Sequence, residues 1–270
     1  MKIKSTLIIT LLLAFSSTTY SQVNWLKNEK LSKAIATEKD QLILMDFWAV
    51  WCGPCRKMDA EMWNTEEFAA FSKNFVPFKV DIDIEKQLAR KFNIRSIPYV
   101  VLATVSGDIV WEQTGYLNSS VYKKVLQNLP ESLNGINSKL LSLNDEFQDD
   151  EYFSIAEEYL KLALENDGEF KNGFLSLSDK YFREITKNSE NNKNIALAEM
   201  KMLLNDAYLG RYKRAIRKVD KMEVENNDEL TDMKNFIKAY CFKCEGDETS
   251  FKEAKAQIKS TEYISLLENN

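Results

Sequence analysis

The chain of 270 residues contains no histidine. Without an imidazole there can be no Ser-His-Asp hydrolysis, no Cys-His proteolysis, no histidine-ligated haem and no His-rich zinc catalysis. A basic excess is also missing. Asp and Glu outnumber Lys and Arg 41 to 36, so nothing points to nucleic acid as a partner. Proline occurs four times, and never after Pro130. Glycine occurs only eight times. The long tail after Pro130 therefore has few of the residues that interrupt a helix. Beyond the first twenty or so residues there is no apolar run long enough to cross a bilayer.

The amino-terminal residues are different in kind. Lys2 and Lys4 precede a short apolar run over 7–15, and Thr19-Tyr20-Ser21 supplies small residues where a signal peptidase cleaves. Residues 1–21 read as a secretory signal, with Gln22 as the mature start. No cysteine stands near that site to carry a lipid, although an uncleaved anchor is the alternative. The expectation is a soluble protein exported into a bacterial periplasm. Four cysteines are few for an exported chain of this length, so a disulfide-stapled scaffold is not expected.

Two of those cysteines stand in Trp51-Cys52-Gly53-Pro54-Cys55, directly after the apolar run 42–49. A C-x-x-C pair at the junction of a strand and a helix makes a reversible dithiol/disulfide. Cys52 falls at the helix N-terminus, where unpaired N–H groups and the helix dipole favour a thiolate. Cys55 follows one turn later, within disulfide reach. Pro54 suits an early helical position, where its missing N–H has no intrahelical partner anyway. A zinc site would need a second ligand pair, and only the distant Cys241/Cys244 is available. No metal and no cofactor beyond the redox disulfide is expected. Asp46 interrupts a strand that should be buried, so its pKa should rise.

With Asp46-Phe47-Trp48-Ala49 before the motif, Lys79-Val80-Asp81-Ile82-Asp83 after it, and then Ile94-Arg95-Ser96-Ile97-Pro98, residues 23–129 resemble the thioredoxin family. The resemblance implies an α/β thioredoxin fold, a central mixed sheet flanked by helices, over 22–130. It implies that Cys52 is the nucleophile and Cys55 the resolving cysteine. Asp46 takes the place of the family's buried acid and Lys79 of the lysine that pairs with it, the alternative being a purely structural polar pair. Pro98 takes the place of a cis proline lying against the disulfide, with the Ile97 backbone pairing with extended substrate. Trp51 would be a partly exposed platform beside Cys52, Trp48 a core residue, and Gly115 a permissive site near the rim. Gly53-Pro54 between the cysteines matches the reducing members. A single peroxidatic cysteine among Thr and Arg, as in peroxidases of this fold, is not found around Cys52.

Apolar patterning predicts helices over 28–39, 54–62, 85–92 and 119–129, strands over 42–48 and 76–82, and a hairpin over 99–113. Asn64, with Glu67 three residues on, predicts a fresh helix start and hence a break near Trp63. This break and the stretch 23–34 resemble the reductase domains of periplasmic thiol–disulfide relays. Residues 131–270 predict an all-α region with helices near 138–147, 151–165, 169–187, 193–209, 211–223, 228–244 and 249–267. Its turns at Gly210 and Gly246 are weakly similar to tetratricopeptide repeats; an irregular bundle is the alternative. Cys241 and Cys244 lie on one of these helices as packed thiols, a local disulfide or a relay pair.

The sequence thus predicts an exported thiol–disulfide oxidoreductase that reduces protein disulfides, fed by a membrane electron donor such as a transmembrane disulfide reductase. The helical region would bind a protein partner or select substrate. A periplasmic disulfide oxidase or isomerase, or a helical scaffold with a thioredoxin-like module, are the rival readings.

Overall fold

The structure is a computed structural model that describes residues 22–224 and 227–269. The expected signal, 1–21, lies outside the described residues. The first half alternates helix and strand: α1 (Glu29–Lys39), β1 (Ile43–Trp48), α2 (Gly53–Met58), α3 (Glu66–Phe71), β2 (Val76–Asp81), α4 (Lys86–Lys91), β3 (Tyr99–Ala103), β4 (Ile109–Thr114) and α5 (Ser119–Gln127). The strands form one sheet in the order β2-β1-β3-β4. β1 and β2 are parallel, while β1–β3 and β3–β4 are antiparallel. This is the mixed sheet of a thioredoxin fold. β1 is central and apolar along most of its length, as a strand covered on both faces must be. Beside β2 the extended chain at Leu26 adds a bridge to Phe78, and Leu26 N–H donates to the Pro77 carbonyl at 3.0 Å.

The motif helix breaks near Trp63 as the sequence suggests, but through a different device. α2 passes into a π-helical turn, Asp59–Trp63, which sets Met62 and Trp63 fully into the core. The next helix is capped by Thr65, whose hydroxyl accepts from Phe68 N–H, and not by Asn64. The π turn spends an extra residue, so the cap falls one position later.

Beyond Pro130 the chain is helical: α6 (Ile136–Ser142), α7 (Asp149–Glu165), α8 (Gly168–Asn188), α9 (Asn192–Tyr208), α10 (Tyr212–Val219), α11 (Asp228–Glu245), α12 (Glu248–Ala256) and α13 (Thr261–Asn269). The helix expected over 249–267 is two. Buried Asp232 accepts from Lys259 and Ser260 N–H at 2.8 and 2.6 Å, and Ser260 Oγ accepts from Tyr263 N–H at 3.3 Å. The chain turns there, and Ser260 starts α13. The helices near 138–147 and 211–223 also stop early, at Ser142 and Val219. Gly210 and Gly246 both close helices in the left-handed region, at φ 77°. Among the described residues no helix is long and apolar enough to cross a membrane.

The helical region is built onto the sheet. One apolar core runs from Val23 through the sheet and α6–α8 to Ala198, and a second occupies α9–α13. α8 lies so close to β4 that a Cβ on Gly173 would stand 2.0 Å from the Val110 carbonyl oxygen. Polar groups tie the same seam. Asn137, fully buried, accepts from Val105 N–H at 3.1 Å and donates to the Ala36 and Gln41 carbonyls. The Asp40 carboxylate accepts from Leu133 and Gly135 N–H at 2.9 and 3.1 Å. Asp108, in the hairpin turn, accepts from the Tyr159 and Tyr181 hydroxyls and pairs with Lys180.

Candidate functional site

Cys52 occupies the N-cap of α2, in extended backbone, and its Sγ accepts from Cys55 N–H at 3.1 Å. That places the sulfur on the unpaired amides of the first turn, the position expected for a stabilised thiolate. Cys52 and Cys55 are joined as a disulfide with Cα atoms 5.3 Å apart. Both are buried, while Gly53 and Pro54 between them face solvent. Pro54 lies in the first turn and forfeits no hydrogen bond.

The rim around the disulfide is assembled from four loops. Trp51 is 65% exposed, and its indole donates to Asp83 Oδ2 at 2.8 Å. Arg56 closes the loop before the motif by donating to the Val50 carbonyl at 2.6 Å. Ile97 packs against Ala49, Cys52 and Cys55 together with Trp48 and Ile82, and the Ile97–Pro98 peptide is cis. Gly115 (φ 75°) donates its N–H to the Pro98 carbonyl at 2.7 Å, and that φ suits glycine. Trp48 is half-buried beside the site and is not the core residue the sequence suggests. Its indole is a wall for a cation: Lys79 Nζ stands 5.0 Å from the ring centroid.

Asp46, on β1 two residues before Trp48, has only 1% of its surface exposed. Burial raises its pKa from the ordinary 3.8 to about 6, with Lys79 opposing the rise and Asp59 adding to it. Lys79 faces Asp46 across the parallel β1–β2 register, and Nζ is 3.4 Å from Oδ2. The other carboxylate oxygen, Oδ1, and the buried Trp63 indole N–H make no close hydrogen bond elsewhere, and the indole lies near enough to Asp46 to oppose the rise as well. The structure therefore brings Cys52, Gly53, Pro54, Cys55, Trp51, Ile97 and Pro98 to one rim, with Asp46 and Lys79 paired across the adjoining strands β1 and β2.

Sequence reading missed Asp59. Its carboxylate makes the shorter contact to Lys79 Nζ. Its only trace in the sequence is its place one helical turn after Cys55, which does not set it apart from other helix carboxylates. Trp25 was missed as well; its ring lies 5.3 Å from the same Nζ.

The second C-x-x-C is unlike the first. Cys241 and Cys244 sit near the end of α11 as free thiols, the first buried and the second exposed. Burial, with Cys244 and Glu245 adding to it, pushes the Cys241 thiol up to about 12, which suppresses its nucleophilic form. Among the described residues no cluster of His, Cys, Asp and Glu could hold a metal ion.

Comparison with known proteins gives the same frame. The Thioredoxin family model matches residues 22–128. A thioredoxin of Mycoplasmoides gallisepticum is 30% identical over 98 residues, covering 36% of this chain and 92% of the relative. Thioredoxin-1 of Caenorhabditis elegans is 28% identical over 109 residues, covering 40% and 90%. Thioredoxin-1 of Drosophila melanogaster is 35% identical over 69 residues, covering 26% and 63%. The matches fall on the sheet-bearing half that carries the Cys52–Cys55 disulfide, and by them the chain belongs to the thioredoxin family, as a thioredoxin-like thiol–disulfide oxidoreductase.

Proposed function

We propose that the protein is an exported reductase of protein disulfides. The observation that carries this reading is the Cys52–Cys55 pair at a helix N-terminus, with a buried carboxyl, Asp46, on the strand that leads into it. In the reduced protein the Cys52 thiolate attacks one sulfur of a substrate disulfide. The substrate S–S bond breaks, its second sulfur leaves as a thiolate and takes a proton from water. A mixed disulfide then joins Cys52 to the substrate. Asp46 accepts the proton of Cys55 Sγ–H, and the resulting thiolate attacks Cys52 Sγ. The mixed disulfide breaks, the electron pair goes to the substrate sulfur, and Cys52–Cys55 is left oxidised. The Cys52 thiolate and Cys55 thiol have together lost two electrons and one proton; the substrate disulfide has gained the two electrons, and its two sulfurs are protonated by water and by the proton that Asp46 took from Cys55.

Trp51 and the backbone at Ile97–Pro98 serve as the substrate's bed, the latter by adding an extended segment as a strand. Gly53-Pro54 favours the reducing direction over oxidase or isomerase work. The basic leader with its short apolar run supports export to a periplasm, with residues 1–21 removed. In that oxidising compartment the pair must be re-reduced by a membrane-bound dithiol donor. In this reading the helical region holds a protein partner; it carries a cleft of about 490 Å³ between α8, α9 and α10, where Arg211 and Arg214 pair with Asp206.

A Cys55→Ala variant tests the enzyme against the scaffold reading. Without the resolving thiol, an enzyme accumulates client proteins as mixed disulfides that dithiothreitol releases. A scaffold binds the same clients with no covalent link, and that result contradicts the reading.

A further inference from the structure

We propose that Asp59 is a positioning residue for this chemistry: it draws the Lys79 ammonium off Asp46 and so keeps Asp46 able to take the Cys55 proton. The inference rests on the reading of Asp46 as the base for Cys55.

Three groups compete with Asp46 for Lys79. Asp59 Oδ1 makes the closer contact to Nζ, while Asp46 Oδ2 is 3.4 Å away. The ammonium also lies between two indoles, 5.3 Å from the Trp25 centroid and 5.0 Å from that of Trp48. Trp25 is itself braced edge-on against Trp63 at 5.2 Å. The cation is thus shared among an outer carboxylate and two aromatic faces, each of which competes with Asp46 for it.

Asp59 reaches this point because of the π turn. It is the first residue of Asp59–Trp63, and its carbonyl accepts from Asn64 N–H at 2.9 Å across the widened turn. Such turns inside a helix commonly mark functional positions. Exposure is graded through the three groups, with side chains 1% exposed at Asp46, 12% at Lys79 and 23% at Asp59. Asp59 can therefore stay hydrated while acting on a group that cannot.

The other ionisable groups around Asp46 do not take over this role. From α5, Tyr122 is held above its ordinary pKa, first by burial and then by Asp46, and its hydroxyl donates to the Gly115 carbonyl at 3.1 Å. From the π turn, Glu61 is engaged by Lys57 at 3.8 Å and by the Tyr116 hydroxyl at 3.0 Å. On α2, Arg56 is engaged by the Val50 carbonyl and Lys57 by Glu61, and Cys55 is joined to Cys52. Lys79 and Asp59 are the charged pair whose arrangement decides how strongly Asp46 holds a proton. Asp59 acts in two ways of the same sign: its like charge opposes ionisation of Asp46, and its hold on Lys79 weakens the attraction that would favour it.

The test compares Asp59→Asn, Asp59→Glu and Asp46→Asn in the full chain. The readouts are carboxyl carbon-13 titration of the oxidised protein, and the pH dependence of single-turnover insulin reduction by the pre-reduced protein. Asp59→Asn should move the Asp46 titration about one pH unit towards acid. It should also shift the acid limb of the rate profile the same way and slow the step severalfold at pH 7. Asp59→Glu should restore both. Unchanged titration and profile in Asp59→Asn, with the limb abolished in Asp46→Asn, overturn the role of Asp59 alone. A limb that survives in Asp46→Asn overturns both the base and its positioning residue.

Discussion

Asp46 is the residue at which function and stability pull apart. Its pKa is near 6 in the fold against an ordinary 3.8, first because it is buried. Between those two values the native state binds more protons than the unfolded chain. Stability is therefore greatest below about pH 4, falls as pH rises to about 6, and stays lower above it. A shift of this size is worth on the order of 3 kcal/mol. Asp46→Asn should stabilise the oxidised protein at pH 7 by up to about that amount, and should flatten its stability between pH 4 and 6. Urea denaturation across that range checks it; a destabilised variant, or an unaltered slope, contradicts the account. The cysteine pair and the buried position of Asp46 could be read from the residues themselves, whereas Lys79 and Pro98 stood out only through the resemblance to the thioredoxin family. Asp59 was not legible. A carboxylate on an exposed helix surface is ordinary, and it gains meaning only when the π turn brings it to a lysine twenty positions on.

Among the elements, α8 shows how closely helix and sheet meet. Gly173 is a poor helix former, and alanine there would by propensity alone add about 1 kcal/mol. The Cβ, however, would lie 2.0 Å from the Val110 carbonyl oxygen, an atom of strand backbone that cannot step aside. Overpacking wins, and Gly173→Ala should destabilise by about 1–3 kcal/mol. A thermal or urea midpoint that rises instead would show that α8 does not rest on β4. The strands and long helices were readable from period and apolar runs. The helix ends were less so, for identifiable reasons. The cap moved from Asn64 to Thr65 because a π turn consumed a residue. The break before α13 depends on Asp232, a side chain some 27 residues earlier in the chain, capturing two amides.

On the scale of the whole molecule, composition divides the chain near Pro130, yet the apolar core crosses that point and ends at Ala198. Asp40, Asn137 and Asp108 stitch the same boundary through contacts spanning roughly 50 to 100 residues. No local pattern encodes such contacts, so the sequence could show a sheet-bearing half and a helical half but not their seam. The seam joins the half that carries the redox pair to the helical region through one shared core. Which way electrons flow then depends on the poise of the Cys52/Cys55 pair against its surroundings. The direct measurement is that potential, by equilibration with glutathione and with thioredoxin, on a Cys241→Ser/Cys244→Ser background. The account predicts a reducing value near that of thioredoxin, about −270 mV. A value in the range of strong oxidants, about −120 to −180 mV, would contradict it and make the protein a disulfide oxidase or isomerase.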